Sequence, residues 1–209
     1  MDRTERKKHW ENIYTNKALT DVSWYQPVPE TSLEFLKTHN IPKTAAIIDV
    51  GGGDSFFADH LLDLGYTNIT VLDISEAALE RAKQRFGERA GRVKWIVADA
   101  ASFEPAEKYD FWHDRAAFHF LTEQKEIDAY LQTIDKALNP QGVLVIGTFS
   151  EEGPTKCSGI NVHQYSAASM TDRLKTWFKK IKCITTEHTT PFKTIQKFVF
   201  CSFSKMVTA

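Results

Sequence analysis

The chain has 209 residues, which is enough for one α/β domain with a sizeable core and too few for two domains of ordinary size. Hydrophobic residues make up 42% of the chain and charged residues 25%, so a disordered chain is excluded. The net charge of -1 provides no broad positive field, and nucleic acid is therefore not expected as a partner.

The chain lacks the patterns of membrane insertion and export. No stretch approaches the roughly 18 apolar residues of a membrane span, and the polar segment 1–8 has no apolar core of a secretion signal. The three cysteines are widely spaced and odd in number, which suits reduced thiols and favours neither a disulfide framework nor a metal site. We therefore expect a cytoplasmic protein with no membrane partner and no bound metal.

The first predicted elements form an amino-terminal cap, residues 1–40. It contains a helix near Thr4–Tyr14, an aromatic segment at Val22–Pro27 and a helix at Thr31–His39. From Ala45 onward, apolar runs alternate with helical patterns, which is typical of βαβ units and a parallel sheet. This core, residues 45–150, has predicted strands at Ala45–Val50, Asn68–Ile74, Val93–Ala98, Tyr109–His113 and Gly142–Phe149, and predicted helices at Ser55–Leu64, Glu76–Phe86 and Glu123–Leu138.

The carboxy-terminal part, residues 151–209, begins with a loop and a helix predicted at Ala167–Phe178. Two strands follow at Ile181–His188 and Thr194–Ser204, and the link between them is too short for a parallel crossover, so they must pair antiparallel. The predicted fold is therefore one α/β domain over residues 1–209. It has a Rossmann-like, doubly wound sheet that is mostly parallel, one antiparallel carboxy-terminal hairpin strand, and helices on both faces.

The segment 47–56 reads IIDVGGGDSF, a buried strand that runs into a glycine turn and then a helix. Glycines let the backbone turn sharply and approach a ligand closely. A P-loop would need Gly-Lys-Ser/Thr, which is absent. A dinucleotide fingerprint that began at Gly51 would need glycine at position 56, where Phe56 stands, so a pyrophosphate is not expected here.

Two further acids stand at strand ends, because Asp73 ends the second predicted strand and Asp99 follows the third. An acid at the end of the second strand can accept hydrogen bonds from both ribose hydroxyls. The alternative is that each acid forms a turn or caps a helix, as Ser75 can also do. Three acids at successive strand ends beside a glycine loop favour a ligand site.

Asp49, Gly51 and Gly53 resemble motif I of class I methyltransferases, with Ser55 in place of the usual third glycine. The resemblance implies S-adenosylmethionine as cofactor and S-adenosylhomocysteine as product. It also assigns positions around the cofactor: Asp73 on the ribose, Ile74 on the adenine, Asp99 on the adenine amino group with Ala100 beside it. The other cofactor-binding candidates on these segments are Asp54, Ser55 and Ser75.

The fourth strand ends in a segment where class I methyltransferases place residues that face the sulfonium and the acceptor. The catalytic candidates here are Asp114, Arg115 and His119, and Asp114 is also a cofactor-binding candidate. Asp114 or Arg115 could contact the cofactor or an acidic acceptor, and His119 is the nearby side chain that titrates near neutrality. The alternative for His119 is a buried histidine beneath the cofactor. The Asp/Asn/Ser-Pro-Pro-aromatic motif of enzymes that methylate amino groups of nucleic-acid bases is absent.

The segments HWENIY at 9–14 and VSWYQ at 22–26 resemble the amino terminus of a group of methyltransferase-domain proteins. This group includes bacterial proteins of unassigned substrate and eukaryotic protein-lysine methyltransferases. Tyr14, Trp24 and Tyr25 are cofactor-binding candidates because aromatic faces suit a sulfonium cation. Ordinary packing of the cap is the alternative.

The function predicted from these features is methyl transfer to a small molecule in a cleft closed by the cap and the Ser150–Tyr165 loop. A protein side chain such as lysine is the alternative acceptor. An alternative from another functional class is a protein that binds S-adenosylmethionine without catalysis. A nicotinamide oxidoreductase is a more remote alternative. The acceptor and the oligomeric state stay open, as does any contact of substrate with Cys157, Tyr165, His188 or Gln196.

Overall fold

The structure is a computed structural model that describes residues 2–206. Its helices are α1 (Arg3–Asn16), α2 (Glu30–Thr38), α3 (Phe57–Asp63), α4 (Glu76–Phe86), α5 (Gln124–Ala137) and α6 (Ala167–Leu174). Its strands are β1 (Ala46–Val50), β2 (Asn68–Asp73), β3 (Val93–Val97), β4 (Tyr109–Arg115), β5 (Leu138–Phe149), β6 (Lys156–Cys157), β7 (Ile160–Asn161), β8 (Phe178–Thr189) and β9 (Ile195–Lys205).

Seven of these strands form one sheet in the order β3-β2-β1-β4-β5-β9-β8. The strands from β3 to β5 are parallel, while β9 pairs antiparallel with both β5 and β8. The predicted fold class, a mostly parallel sheet with an antiparallel carboxy-terminal hairpin, is confirmed. The strand order reverses at β1, so the carboxyl ends of β1, β2 and β4 meet where ligands bind in open α/β sheets.

The sheet separates two hydrophobic cores, and β1 contributes to both. Ile47 packs with the residues of α2, α3 and α4 on one face, whereas Ile48 packs with α5 and α6 on the other. All five residues of β1 are buried, as expected for a parallel strand that is covered on both faces. The central strands are thus held rigidly, and the residues at their carboxyl ends have fixed positions.

Helix α1 is attached to the first turn of α4. The carboxylate of Glu11 accepts hydrogen bonds from the Ser75 hydroxyl at 2.7 Å and from the Ala77 amide at 3.1 Å. The Arg81 guanidinium donates to the carbonyl oxygen of Tyr14 at 2.8 Å. A capping box formed by Asp2 and Glu5 begins the helix. These contacts hold the cap over the carboxyl edge of the sheet.

The prediction that the cysteines are reduced is wrong for two of them, because Cys183 and Cys201 form a disulfide. The register of β8 and β9 places these residues opposite each other, with their Cα atoms 4.1 Å apart. Cysteine spacing along the chain could not show this register. Cys157 is free and buried. Among the described residues no helix is long and apolar enough to cross a membrane.

Candidate cofactor and acceptor site

A cavity opens over the carboxyl ends of β1, β2 and β4 and is covered by α1 and the segment 23–26. It encloses about 1250 Å³ when its open mouth is included. Along the sheet, the charged groups of its wall follow one another in the order Asp99, Asp73, Asp49 and Arg115. We call the part around Asp54, Asp73 and Asp99 the acidic half. The part around Arg115, with Ser23, Cys157, Gln196 and Phe198, is the basic half.

The glycine loop after β1 lies between the cap and the turn that follows β4. Gly51 and Gly53 adopt φ angles of 67° and 47°, which glycine favours over other residues. A Cβ atom on Gly51 would lie 2.7 Å from the Cβ of Ala117. One on Gly53 would lie 2.8 Å from the hydroxyl oxygen of Tyr14 and 3.0 Å from a carboxylate oxygen of Asp73. Only glycine fits at these two positions, because Ala117, Tyr14 and Asp73 occupy the space that a side chain would take.

Asp73 lies in the acidic half and is the most perturbed acid of the cavity. It is 5% exposed, and one of its carboxylate oxygens accepts a hydrogen bond from the Ser75 amide at 2.8 Å. Burial raises the pKa of Asp73 to about 7, and the nearby charges of Asp54 and Asp49 add to this effect. The raised pKa means that the ionised carboxylate is unfavourable where it lies. A hydrogen-bond donor to the carboxylate would stabilise the ionised form, and the two hydroxyls of a ribose are such donors.

Asp54 is also buried, and burial raises its pKa, which the neighbouring Arg81 opposes. The Arg81 guanidinium forms an ion pair with the Asp54 carboxylate at 2.9 Å. The same arginine binds α1, so the ion pair couples the glycine loop to the cap.

Asp99 completes the acidic half. Its Oδ1 accepts a hydrogen bond from the Ala101 amide at 2.9 Å, whereas its Oδ2 is buried without a hydrogen-bond partner in the described part of the chain. The nearest cation is Arg6, whose Nε lies 3.7 Å from that oxygen and whose guanidinium also binds Glu126. An unpartnered buried acceptor is costly, so this oxygen fits an amino group of a ligand. The side chains of Ile74 and Ala100 line the space next to it.

Beneath the glycine loop, Asp49 is held by a chain of hydrogen bonds. The Nδ1 atom of His113 lies 2.7 Å from the Asp49 carboxylate, and its Nε2 lies 2.9 Å from the hydroxyl of Ser32 on α2. All three residues are buried and border the cavity. The histidine thus fixes the direction of the motif I acid, and both ring nitrogens have partners.

The roof of the cavity is aromatic. Trp10 lies with its ring centroid 5.0 Å from that of Phe120 and 5.8 Å from that of Trp24, while Tyr14 and Trp24 are 6.0 Å apart. Tyr25 packs edge-on against Phe56 with a centroid distance of 6.0 Å. These rings exclude water and offer π faces to a cation.

Asp114 lies outside the cavity wall and organises the turn after β4. Its Oδ1 accepts from the amides of Ala117 at 2.9 Å and Phe118 at 3.0 Å, and its Oδ2 accepts from the Tyr130 hydroxyl at 2.7 Å. Burial raises the pKa of Asp114 to about 6. Both carboxylate oxygens have hydrogen-bond partners within the protein, and Asp114 does not border the cavity. A direct contact with a ligand in the cavity is therefore not expected.

His119 also lies outside the cavity wall. It is fully buried, its Nδ1 accepts a hydrogen bond from the Phe149 amide at 3.3 Å, and burial together with Arg115 lowers its pKa to about 3. A histidine with this pKa is a poor proton acceptor at neutral pH. The structure therefore supports the buried alternative over the role of a base.

Arg115 borders the cavity from the end of β4. Its guanidinium donates to the carbonyl oxygen of Trp24 at 3.3 Å and lies 5.3 Å from the ring centroid of Phe198. Nearby, the Nε2 of His188 lies 2.7 Å from the carbonyl oxygen of Ser23. Burial raises the pKa of Cys157 to about 11, so its thiol is neutral. The basic half thus offers one cation among neutral groups.

The structure brings most of the sequence-predicted residues to one cavity. Those on its wall are Tyr14, Trp24, Tyr25, Asp49, Gly51, Asp54, Ser55, Asp73, Ile74, Asp99, Ala100 and Arg115. Gly53 lies beneath the hydroxyl of Tyr14, whereas Ser75 caps α4 through the Ala78 amide. Sequence reasoning missed the roles of Arg6, Trp10, Ser32 and Phe120. The one available signal was the spacing of Arg6, Trp10 and Tyr14, which places them on one face of α1.

Comparison with known proteins agrees with this geometry. Residues 47–142 match a family model described as a methyltransferase domain. The chain is 28% identical over 142 residues to the eEF1A lysine and N-terminal methyltransferase of Mus musculus, covering 66% of this chain and 20% of that protein. It is 28% identical over 107 residues to malonyl-(acyl-carrier protein) O-methyltransferase 2 of Ilyobacter polytropus, covering 51% of this chain and 40% of that protein. The chain thus spans well under two thirds of the length of either relative.

A solved structure of the N-methyltransferase NodS from Bradyrhizobium japonicum, in complex with S-adenosyl-L-homocysteine, shares the fold. Its TM-score is 0.71 at 18% identity, over 99% of this chain and 100% of that one. At this level of identity the similarity shows a shared fold and nothing more. Motif I lies within residues 47–142, which match the family model. With the glycine loop and the acids at the ends of β1, β2 and β3 in place, residues 47–142 belong to the methyltransferase-domain family.

Proposed function

We propose that this chain binds S-adenosylmethionine and transfers its methyl group to a small-molecule acceptor. The observation that carries the proposal is the single cavity that joins the acidic half, the bare glycine loop and the basic half under an aromatic roof. The whole of residues 1–209 is proposed to act as one unit, in which the cap closes the site and the carboxy-terminal hairpin forms its acceptor wall.

The residues present fit this cofactor at three positions. Asp73 would accept from the ribose hydroxyls, and the unpartnered Oδ2 of Asp99 would accept from the adenine amino group. At the third position, Gly51 and Gly52 present bare backbone to the cavity. The cofactor supplies an electrophilic methyl group on a sulfonium.

Methyl transfer from a sulfonium requires the protein mainly to align the acceptor with the methyl group and to exclude water. The rings of Trp10, Trp24 and Phe120 keep the site dry and favour the sulfonium charge. No covalent step is needed, and the neutral thiol of Cys157 is not suited to one. His119 is not proposed as a base, because its pKa is about 3. An acceptor that is nucleophilic in its neutral form suits this site best.

A protein lysine is the second candidate acceptor, since a relative from Mus musculus carries that activity in its name. An ammonium must be guided into the site and deprotonated, which favours acidic groups on the acceptor side. Here the acids lie in the acidic half and beneath the loop, whereas the basic half carries Arg115. This distribution supports a small molecule over lysine.

Isothermal titration calorimetry with S-adenosylmethionine, S-adenosylhomocysteine and NAD tests cofactor choice. We expect binding of the first two and none of NAD. The variant Asp73→Asn should bind more weakly, while Asp63→Asn, a surface acid paired with Arg89, serves as the matched control. Binding of NAD alone would overturn the proposal.

Transfer is tested with radiolabelled S-adenosylmethionine and a cell extract divided by ultrafiltration into small molecules and proteins. Label in the small-molecule fraction supports the proposed acceptor class. Label in one defined protein and none in small molecules supports the lysine alternative. Binding without any transfer in either fraction would identify a non-catalytic binding protein.

A further inference from the structure

Arg115 has no carboxylate in direct contact within the described part of the chain. Three other arginines near the cap and the glycine loop each have a carboxylate in contact: Arg6 binds Glu126, Arg81 binds Asp54, and Arg85 binds Asp59 at 2.8 Å. Among residues 2–206, Arg115 forms no ion pair within 4.0 Å, and one of its five N–H groups donates to the Trp24 carbonyl. A half-buried cation with free donors needs an anionic partner.

The place of Arg115 in the sheet separates it from the acids. Asp99 follows β3 and Asp73 ends β2 on one side of β1, whereas Arg115 ends β4 on the other side. Its guanidinium lies over Phe198 of β9, two strands further along the sheet. An anion bound by Arg115 would therefore lie opposite the acidic half, across the glycine loop.

The groups that face Arg115 from the neighbouring elements are mostly neutral. Cys157 has a raised pKa, and burial lowers the pKa of His188, so neither carries a charge at neutral pH. Asp49 is the acid whose charge acts on Arg115, but its carboxylate is bound to His113. Burial lowers the pKa of Arg115 to about 10, so the guanidinium remains charged at neutral pH.

We propose that Arg115 binds a carboxylate of the methyl acceptor, which makes the acceptor a small organic acid. This inference rests on the proposed function and names its substrate class. A guanidinium binds a carboxylate with two parallel hydrogen bonds, and the guanidinium of Arg115 packs over the ring of Phe198. The amide of Gln196 and the hydroxyl of Ser23 border the same space and can recognise polar groups of the acid. A lysine ammonium is repelled at this position.

The cofactor also has a carboxylate, on its methionine part, and the experiment must distinguish the two sources. We propose to measure S-adenosylhomocysteine binding by calorimetry in the wild type and in Arg115→Met and Arg115→Lys. The exposed Arg89→Met serves as the control. We expect the affinities of all four proteins to agree within about twofold. A loss of tenfold or more in Arg115→Met would assign the residue to the cofactor and overturn the inference.

A second experiment tests the acceptor itself. The small-molecule fraction of the extract is separated by anion exchange at pH 8, and each fraction is then incubated with the protein and labelled S-adenosylmethionine. We expect the label-accepting fraction to be retained on the column. With that fraction, Arg115→Met should raise KM at least about tenfold, because a charged hydrogen-bonded pair is lost. Arg115→Lys should retain part of the affinity through its charge. Acceptor activity in the unretained fraction, or an unchanged KM in a folded Arg115→Met protein, would overturn the inference.

Failure of this inference differs from failure of the proposed function. If S-adenosylhomocysteine does not bind the wild-type protein, the proposed function itself is wrong. If it binds and label enters an uncharged acceptor, methyl transfer stands and the assignment of Arg115 falls. Near-ultraviolet circular dichroism of each variant shows whether its tertiary packing is retained.

Discussion

Replacing Asp73 with asparagine should stabilise the protein and weaken cofactor binding at the same time. The ionised carboxylate is buried beside Asp54 and Asp49, and its pKa rises from 3.8 to about 7. Each pKa unit corresponds to about 1.4 kcal/mol, so the ionised carboxylate costs the folded protein on the order of 4 kcal/mol above pH 7. Asparagine keeps an oxygen that can accept from the Ser75 amide and removes the charge.

The sign of the pH dependence follows from the direction of this shift. Because the folded-state pKa is raised, the folded protein binds the proton more tightly than the unfolded chain. The contribution of Asp73 to the free energy of unfolding therefore falls as the pH rises from about 4 to about 7, and it is constant above that range. Urea denaturation of Asp73→Asn should show higher stability than the wild type at pH 8 and little difference at pH 5.

Cofactor binding should show the opposite pH dependence, since the ribose hydroxyls bind the ionised carboxylate best. At pH 6 about one tenth of a carboxyl with a pKa near 7 is ionised, so the wild-type affinity should be roughly tenfold lower than at pH 8. Asp73→Asn should bind weakly and almost independently of pH. The reasoning is refuted if the variant binds S-adenosylhomocysteine as tightly as the wild type at pH 8, or if it is less stable than the wild type there.

Three other perturbations test the site. Gly51→Val should abolish cofactor binding, measured by calorimetry, because its Cβ would meet the turn after β4 at 2.7 Å; normal binding would show that the loop does not face the ligand. His113→Phe should lower the free energy of unfolding by about 1.5–3 kcal/mol in urea, since Asp49 loses a charged hydrogen bond; an unchanged midpoint would exclude this role. S-adenosylhomocysteine should slow hydrogen exchange across Thr4–Pro27 and Ser150–Tyr165 if both segments close over it, and equal exchange with and without ligand would exclude a lid.

The parts of the site that lie at strand ends could be predicted from the sequence. A strand followed by glycines fixes where the chain turns, and parallel strands end at the same edge, so Asp49, Asp73 and Asp99 had to lie near one another. The antiparallel pairing of β8 and β9 followed from the length of the link between them. These features depend on local spacing and on topology, both of which can be read along the chain.

The direction of side chains at the end of β4 and just after it could not be predicted. Asp114 and Arg115 are the last two residues of β4, so their side chains point to opposite faces of the sheet: Asp114 reaches Tyr130, whereas Arg115 borders the cavity. The sequence did not show which of the two residues faces the cavity, nor did it decide between the two positions considered for His119. The disulfide depends in the same way on strand register, which a shift by one residue would have changed.

The distribution of charge also explains why this Rossmann-like sheet suits a sulfonium cofactor better than a dinucleotide. A pyrophosphate needs backbone donors and a free cation beside the glycine loop. Here the loop is surrounded by Asp49, Asp54 and Asp73, and the nearby Arg81 is already paired with Asp54. Two phosphate charges would add repulsion to carboxylates that burial already disfavours, whereas a sulfonium reduces it. Asp73, which is proposed to bind the ribose, would therefore also help to select the charge of the group that follows it.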